Sequence, residues 1–197
     1  MINVDPPFDL GETLLGTDDD SNLINTHWEG AIYSFPDVDR SVGPRGSRTR
    51  RSGAVIRAVC ARNTSGGALT VAKKALKFDL TPGSTTGRKL LGSVDGQCSA
   101  VNQFGGVGDP ELVTTVASND LFWCIVGGPA EVLFKDGENI AIGDLLMTSA
   151  TAGSIVEAVA GSATIGMTAA VNIIGRALEA DSSTSSATLL IQVAVNV

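Results

Sequence analysis

Aromatic residues make up only 5% of this 197-residue chain, with one Tyr and two Trp. A large aromatic-lined ligand pocket is therefore disfavoured. Histidine is nearly absent. His27 is the only one, so any Ser-His-Asp or Cys-His arrangement has to pass through it. No Gly-x-Ser-x-Gly elbow accompanies it, and His27 reads as a surface or arm residue. Cysteine is sparse too. Cys60, Cys98 and Cys124 are widely spaced with no Cys-x-x-Cys pair, which predicts reduced, buried thiols. With a single histidine beside them, a zinc site is not expected, and no metal or cofactor is assigned. No apolar run approaches the ~20 residues of a membrane helix, so no membrane partner is expected. Met1 leads into Asn, Asp and Pro rather than a basic and then apolar stretch, and no signal peptide is expected.

Basic side chains are missing from one end. Residues 1–39 carry nine acidic groups and no Lys or Arg, whereas residues 40–89 hold twelve of the fourteen bases against the single acid Asp79. Residues 90–197 return to eleven acids and two bases. Segregated charge of this kind suits docking between neighbouring molecules.

What the chain does have is apolar residues (43%), 23 glycines and many Ser, Thr, Ala and Val, a mixture that favours short strands and turns. The last segment is the clearest. Leu189, Ile191, Val193, Val195 and Val197 are all apolar, with Thr188, Gln192 and Asn196 among the positions between and beside them, the period-two signature of a half-buried strand. Short strands are also predicted over 145–147, 154–159 and 173–180. The fold class expected is mainly β, a small barrel or sandwich over residues 29–197, with long loops and an extended acidic N-terminal arm over 1–28.

Along the chain, Phe8, Leu10, Leu14 and Leu15 are spaced too irregularly to define an element and read as docking residues of the arm. Asp18, Asp20, Asn22 and Glu29 fall at positions 1, 3, 5 and 12 of a calcium loop, but Leu23 stands where glycine is needed. Calcium binding there is left open. Residues 30–36 predict a strand and residues 37–52 a loop. Arg45, Arg48, Arg50 and Arg51 crowd that loop, and guanidinium groups favour carboxylate or phosphate partners. Without interleaved aromatics, and in an acidic chain, protein carboxylates are the expected partner and direct nucleic-acid contact is not. A strand over 54–61 should end at an Asn63-Thr64-Ser65 turn. Residues 71–76 allow a short helix, and Asp95-Gly96 reads as a hairpin turn. Gly105-Gly106-Val107-Gly108 lacks the rest of a phosphate-binding motif and reads as a surface loop. Leu121 to Val126 is a buried strand, and Gly127-Gly128-Pro129 reads as a turn into a further strand, 130–134. Glu131, Glu157 and Glu179 are the acids that could meet as a glycosidase pair, although nothing marks them.

Four segments then occur in a familiar order: Ile142-Gly143-Asp144-Leu145-Leu146, Gly153-Ser154-Ile155-Val156-Glu157-Ala158, Ile174-Gly175-Arg176-Ala177-Leu178-Glu179-Ala180, and Leu189-Leu190-Ile191-Gln192-Val193. Their order resembles the small β-barrel of the capsid cement (decoration) proteins of tailed bacteriophages, with the match concentrated in residues 130–197. Residues 119–133 are similar to a segment of longer phage structural proteins. The resemblance implies a non-enzymatic virion protein on the outer capsid surface, made in the host cytoplasm. It further implies binding to the major capsid protein, often as a homotrimer, and bridging of neighbouring capsomers. The competing class is a carbohydrate-binding β module or a β-rich enzyme without a recognisable catalytic motif. Its sugar platform would have to come from Trp28, Tyr33 and Trp123.

Overall fold

The structure is a computed structural model and describes residues 16–17, 29–38, 50–79, 92–101, 105–112, 114–158, 173–182, 185 and 187–195. Phe8, Leu10, Leu14, Leu15, Arg45, Arg48, His27, Trp28, Asp18, Asp20 and Asn22 lie outside them. All the regular elements described are strands, as the composition anticipated: β1 (Gly16–Thr17), β2 (Ile32–Val38), β3 (Arg50–Asn63), β4 (Ala75–Phe78), β5 (Ser93–Gln97), β6 (Gly105–Gly108), β7 (Asp120–Leu133), β8 (Leu145–Thr148), β9 (Ile155–Glu157), β10 (Ile173–Ala177) and β11 (Thr188–Ala194).

Two closed rings of strands share β7. In the first, β3 lies parallel to β5, and β5 pairs with β4, β4 with β6 and β6 with β7, all antiparallel. Strand β7 then closes the ring on β3, from Arg57↔Gly127 to Arg62↔Leu121. The second ring starts on the far half of β7, which pairs with β11 from Gly127↔Ala194 to Leu133↔Thr188. It continues through β10, β8 and β9. A parallel bridge, Phe134↔Ile155, returns β9 to the end of β7. Closure removes most sheet edges. It does not remove all of them, because among the described strands β2 pairs with β3 alone.

The rings are copies of one design. β3, β4, β5, β6 and β7 of the first correspond in order and direction to β7, β8, β9, β10 and β11 of the second. Register agrees at matched pairs, although the bulges fall in different strand pairs of the two rings. Phe78↔Val94 matches Thr148↔Ile155, and Ala75↔Val107 matches Leu145↔Arg176. The irregular hydrogen bonds agree as well. Thr64 N donates to Val94 O and Lys135 N to Ile155 O, both at 2.9 Å. Cys98 N donates to Ala75 O at 2.9 Å and Ala158 N to Leu145 O at 2.7 Å. Few identities survive between the halves, so the duplication is legible only in the pairing.

Several expectations are corrected here. Gly105–Gly108 is no surface loop: it is β6, buried at all four positions. A Cβ on Gly106 would lie 2.7 Å from both Cys124 Sγ and Ile125 O, and Gly175, its counterpart in the second ring, would drive one into Gln192 O. Small rings bring backbones too close for any side chain at that point. Gly127-Gly128-Pro129 is not a turn either, since β7 runs straight through it. Gly128 takes φ 94° where Val55 O crowds the missing Cβ, and a register shift falls at Arg57/Ala58. Asp95-Gly96 sits inside β5, beside the irregularity at Lys77/Phe78. No helix forms over 71–76. A tight turn there puts Lys73 at φ 57° and leads directly into β4, as Gly143 (φ 91°) leads into β8.

The core follows from the shared strand. Residues 121–130 are buried on both faces of β7, which is why this stretch shows no period of two. Tyr33 and Phe35 of β2 set their rings edge-on to Trp123, each at a centroid distance of 5.4 Å. By contrast β11 alternates buried and wetter residues, as its sequence foretells. Gly106→Ala should cost about 1–3 kcal/mol, the usual penalty of overpacking, in urea melts. Gly53→Ala, with nothing within 4 Å and no unusual φ, should stay within about 0.5 kcal/mol.

Candidate functional site

Among the described residues no three His, Cys, Asp or Glu side chains converge to hold a metal ion. Of the acids singled out, Glu131 pairs with Lys73 at 2.5 Å, and Glu179 Oε1 accepts the Leu190 N–H at 2.7 Å. Glu157 stands apart on the rim of an open groove of about 280 Å³ beside Met147, Val156 and Val101, where Lys135 meets Glu138 at 2.6 Å. That volume is at the lower margin of ligand pockets. Trp123 is only 1% exposed and enclosed by Tyr33 and Phe35, so it offers no face to a sugar.

Glu29, the twelfth position of the calcium-loop reading, is engaged elsewhere. Its Oε2 lies 2.7 Å from Arg62 Nε, with both side chains almost wholly buried. Arg62 Nη1 also donates to Asn119 O at 2.8 Å, tying the segment before β2 to the end of β3 and the start of β7. Beside it Asn63 is fully buried. Its Nδ2 donates to Gly67, Val116 and Ala117 carbonyls, and its Oδ1 accepts the Ser65 N–H, forming the turn that the sequence predicted.

The arginine-rich stretch is shorter as a loop than expected. β3 already begins at Arg50, opposite Val38. Arg51 Nε reaches Asp37 Oδ1 at 3.2 Å, and Ser52 Oγ donates to Asp37 Oδ2 at 2.7 Å. Asp37 is 3% exposed, so this carboxylate is a structural anchor for the strand start. Arg51 keeps over a third of its side chain in water. The Arg50-Arg51-Ser52-Gly53 start of this stretch does not reveal a strand by itself. Pairing with β2 makes it one.

The thiols behave as the cysteine spacing suggested: all three are free and buried. Burial pushes Cys98 up to about 12, partly offset by Lys77. Burial and the nearby Cys98 push Cys124 higher still. The reactive thiolate is thereby suppressed.

The outward apolar side chains are distributed unevenly. Ile142, Leu145 and Leu178 gather where β8 begins and β10 ends, since Gly143 N donates to Ala177 O and Ala177 N to Asp144 O, both at 2.9 Å. Sequence reasoning missed this surface, because Leu145 and Leu178 read equally well as core positions of short strands.

Two outcomes follow from these contacts. Arg62→Met should cost about 3–5 kcal/mol by stranding a buried carboxylate, and Glu29→Leu added to it should recover part of the loss in a double-mutant cycle of urea melts. Iodoacetamide at pH 8 should label Cys98 and Cys124 on the order of a hundredfold more slowly in the native protein than in urea, by mass spectrometry.

No family model matches the chain, and no curated protein matches it. Among solved structures it is similar to the head fiber gp8.5 N base of bacteriophage phi29, at 19% identity and a TM-score of 0.38, over 72% of this chain and 99% of that one.

Proposed function

We propose that this protein is a structural component of a tailed-phage virion, a capsid decoration or cement subunit that stabilises the shell by non-covalent bridging. One observation carries the proposal. The four segments that resemble the cement-protein pattern fall on β8, β9, β10 and β11, which are hydrogen-bonded to one another and close on β7. The likeness therefore maps onto one physical unit rather than onto scattered matches. In this reading the partner is the major capsid protein on the outer shell, the subunit is a homotrimer assembled in the host cytoplasm, and no reaction is catalysed. The double ring is the rigid body. The acidic 1–28 segment, through Phe8, Leu10, Leu14 and Leu15, and the basic 40–51 segment supply adhesion. Each exposed ion pair contributes only about 0.2–1 kcal/mol, yet copies on one lattice act together.

Purified shells test the proposal by co-sedimentation. Deleting residues 1–28 should abolish retention while the circular dichroism spectrum stays β-rich, and undiminished retention would refute the role given to that segment. Exchanging Arg48 and Arg50 for Gln, while leaving Arg51 on its Asp37 anchor, should weaken retention most at low salt, where charge is least screened. Shells that never retain the intact chain would end the cement reading itself.

A further inference from the structure

The duplication gives every surface of the second ring a counterpart in the first, and at one place the two differ sharply in burial. In the first ring the start of β4 and the end of β6 are covered by the chain itself. Ala75 and Val107 are fully buried, and Asp109 is 2% exposed. At the start of β4 the second ring supplies part of the cover. Gly153 O accepts the Ala75 N–H at 2.8 Å, and a Cβ on Gly153 would lie only 2.7 Å from Lys74 Cδ. Leu133 N donates to Lys73 O at 2.7 Å, and Glu131 pairs with Lys73 beside it.

The corresponding face of the second ring is open. Leu145 stands where Ala75 does, Arg176 where Val107 does and Leu178 where Asp109 does, by the registers of β4 with β6 and of β8 with β10. Leu145 is 40% exposed and Leu178 42%, and Ile142 in the preceding turn is 71% exposed. Around them lie groups of both signs. Arg176 Nη1 donates to Gly143 O at 3.0 Å, Asp144 Oδ2 accepts the Ala141 N–H at 2.7 Å, and Glu179 is exposed beside Leu178. An apolar centre with a polar rim is the anatomy of a protein interface. A rim carrying both signs can complement a copy of itself, whereas a uniformly charged one cannot.

We propose that this face, Ile142, Leu145 and Leu178 with Arg176, is the surface through which two copies of this chain associate. The contact repeats between molecules the kind of burial that the first ring obtains within one molecule. The same apolar ring-edge position is covered in both cases, once in part by the neighbouring ring and once by a neighbouring subunit. The inference rests on the self-association included in the cement reading and names the face that makes it. It concerns the free protein, so a failure of self-association is told apart from a failure of retention on shells.

Sedimentation equilibrium over a hundredfold range of concentration tests it on the full chain. The wild type should form a multiple of the 20.2 kDa protomer mass. Ile142→Glu with Leu178→Glu should reduce it to one protomer mass with an unchanged far-ultraviolet spectrum. Ile142→Thr, a mild change at a position mostly in water, should weaken association at least tenfold and guards against misfolding of the double variant. Val55→Glu, at an exposed site on β3, should leave the mass as in the wild type. A wild type that stays at one protomer mass throughout overturns the proposal, and leaves the face to another protein or to residues 1–28. So does an Ile142→Thr variant that associates as tightly as the wild type, because the copies then meet elsewhere.

Discussion

Strand β7 is the constraint on which the molecule depends, because it is a wall of both rings. Its first half is hydrogen-bonded to β3 and β6, and its second half to β11. To serve both, one continuous strand must leave the first partner and take up the last one without a break. Gly127, Gly128 and Pro129 make the transfer possible. Glycine permits the positive φ and the close approach of Val55, and proline gives up a donor where ladders exchange. With both faces buried, this strand supplies Leu121, Phe122, Trp123, Ile125 and Val126 to a continuous core. Shifting its register by one residue would reverse every one of those side chains.

Closure then sets the demands on the other strands. A ring of five strands is narrow, so neighbouring backbones and interior side chains compete for space. Gly106 and Gly175 resolve the competition at matched positions by having no side chain. Polar groups drawn into the interior are satisfied individually, as Asn63 is by three carbonyls, and Arg62 by Glu29 and Asn119. An unmet buried donor there would cost more than the bond contributes when made. Loops that tie the two rings, such as the turn at Gly153, are consequently part of the packing. What is left on the outside of the described residues includes an apolar ring edge and an open groove.

How much of this was legible from the residues depends on the kind of signal. Alternating or continuous apolar runs located β11, the first half of β7 and the β3 segment 54–61, because burial of one or both faces is written directly into hydrophobic pattern. Glycine was the main source of error. In Gly105–Gly108, Gly127-Gly128 and Asp95-Gly96 it looked like a breaker, since the residue that tolerates turns also tolerates crowding. Only the neighbouring backbone distinguishes the two uses. Arg51 and Ser52 misled for a different reason: their charge and polarity fit a loop, and their strand conformation comes from β2 and the Asp37 carboxylate.

The sequence by itself determined the class of the protein. It dictated short strands, buried reduced thiols and segregated charge, each of which follows from local composition and period. Tertiary structure alone decided that these strands form two rings of one design joined through β7, and that Glu29 serves Arg62. It alone also decided which apolar residues, Ile142, Leu145 and Leu178, remain on the outside. Those outcomes hinge on pairing between residues far apart in the chain, and few of the equivalent positions share a side chain. Backbone hydrogen bonding, which fixes the pairing, is nearly blind to residue identity.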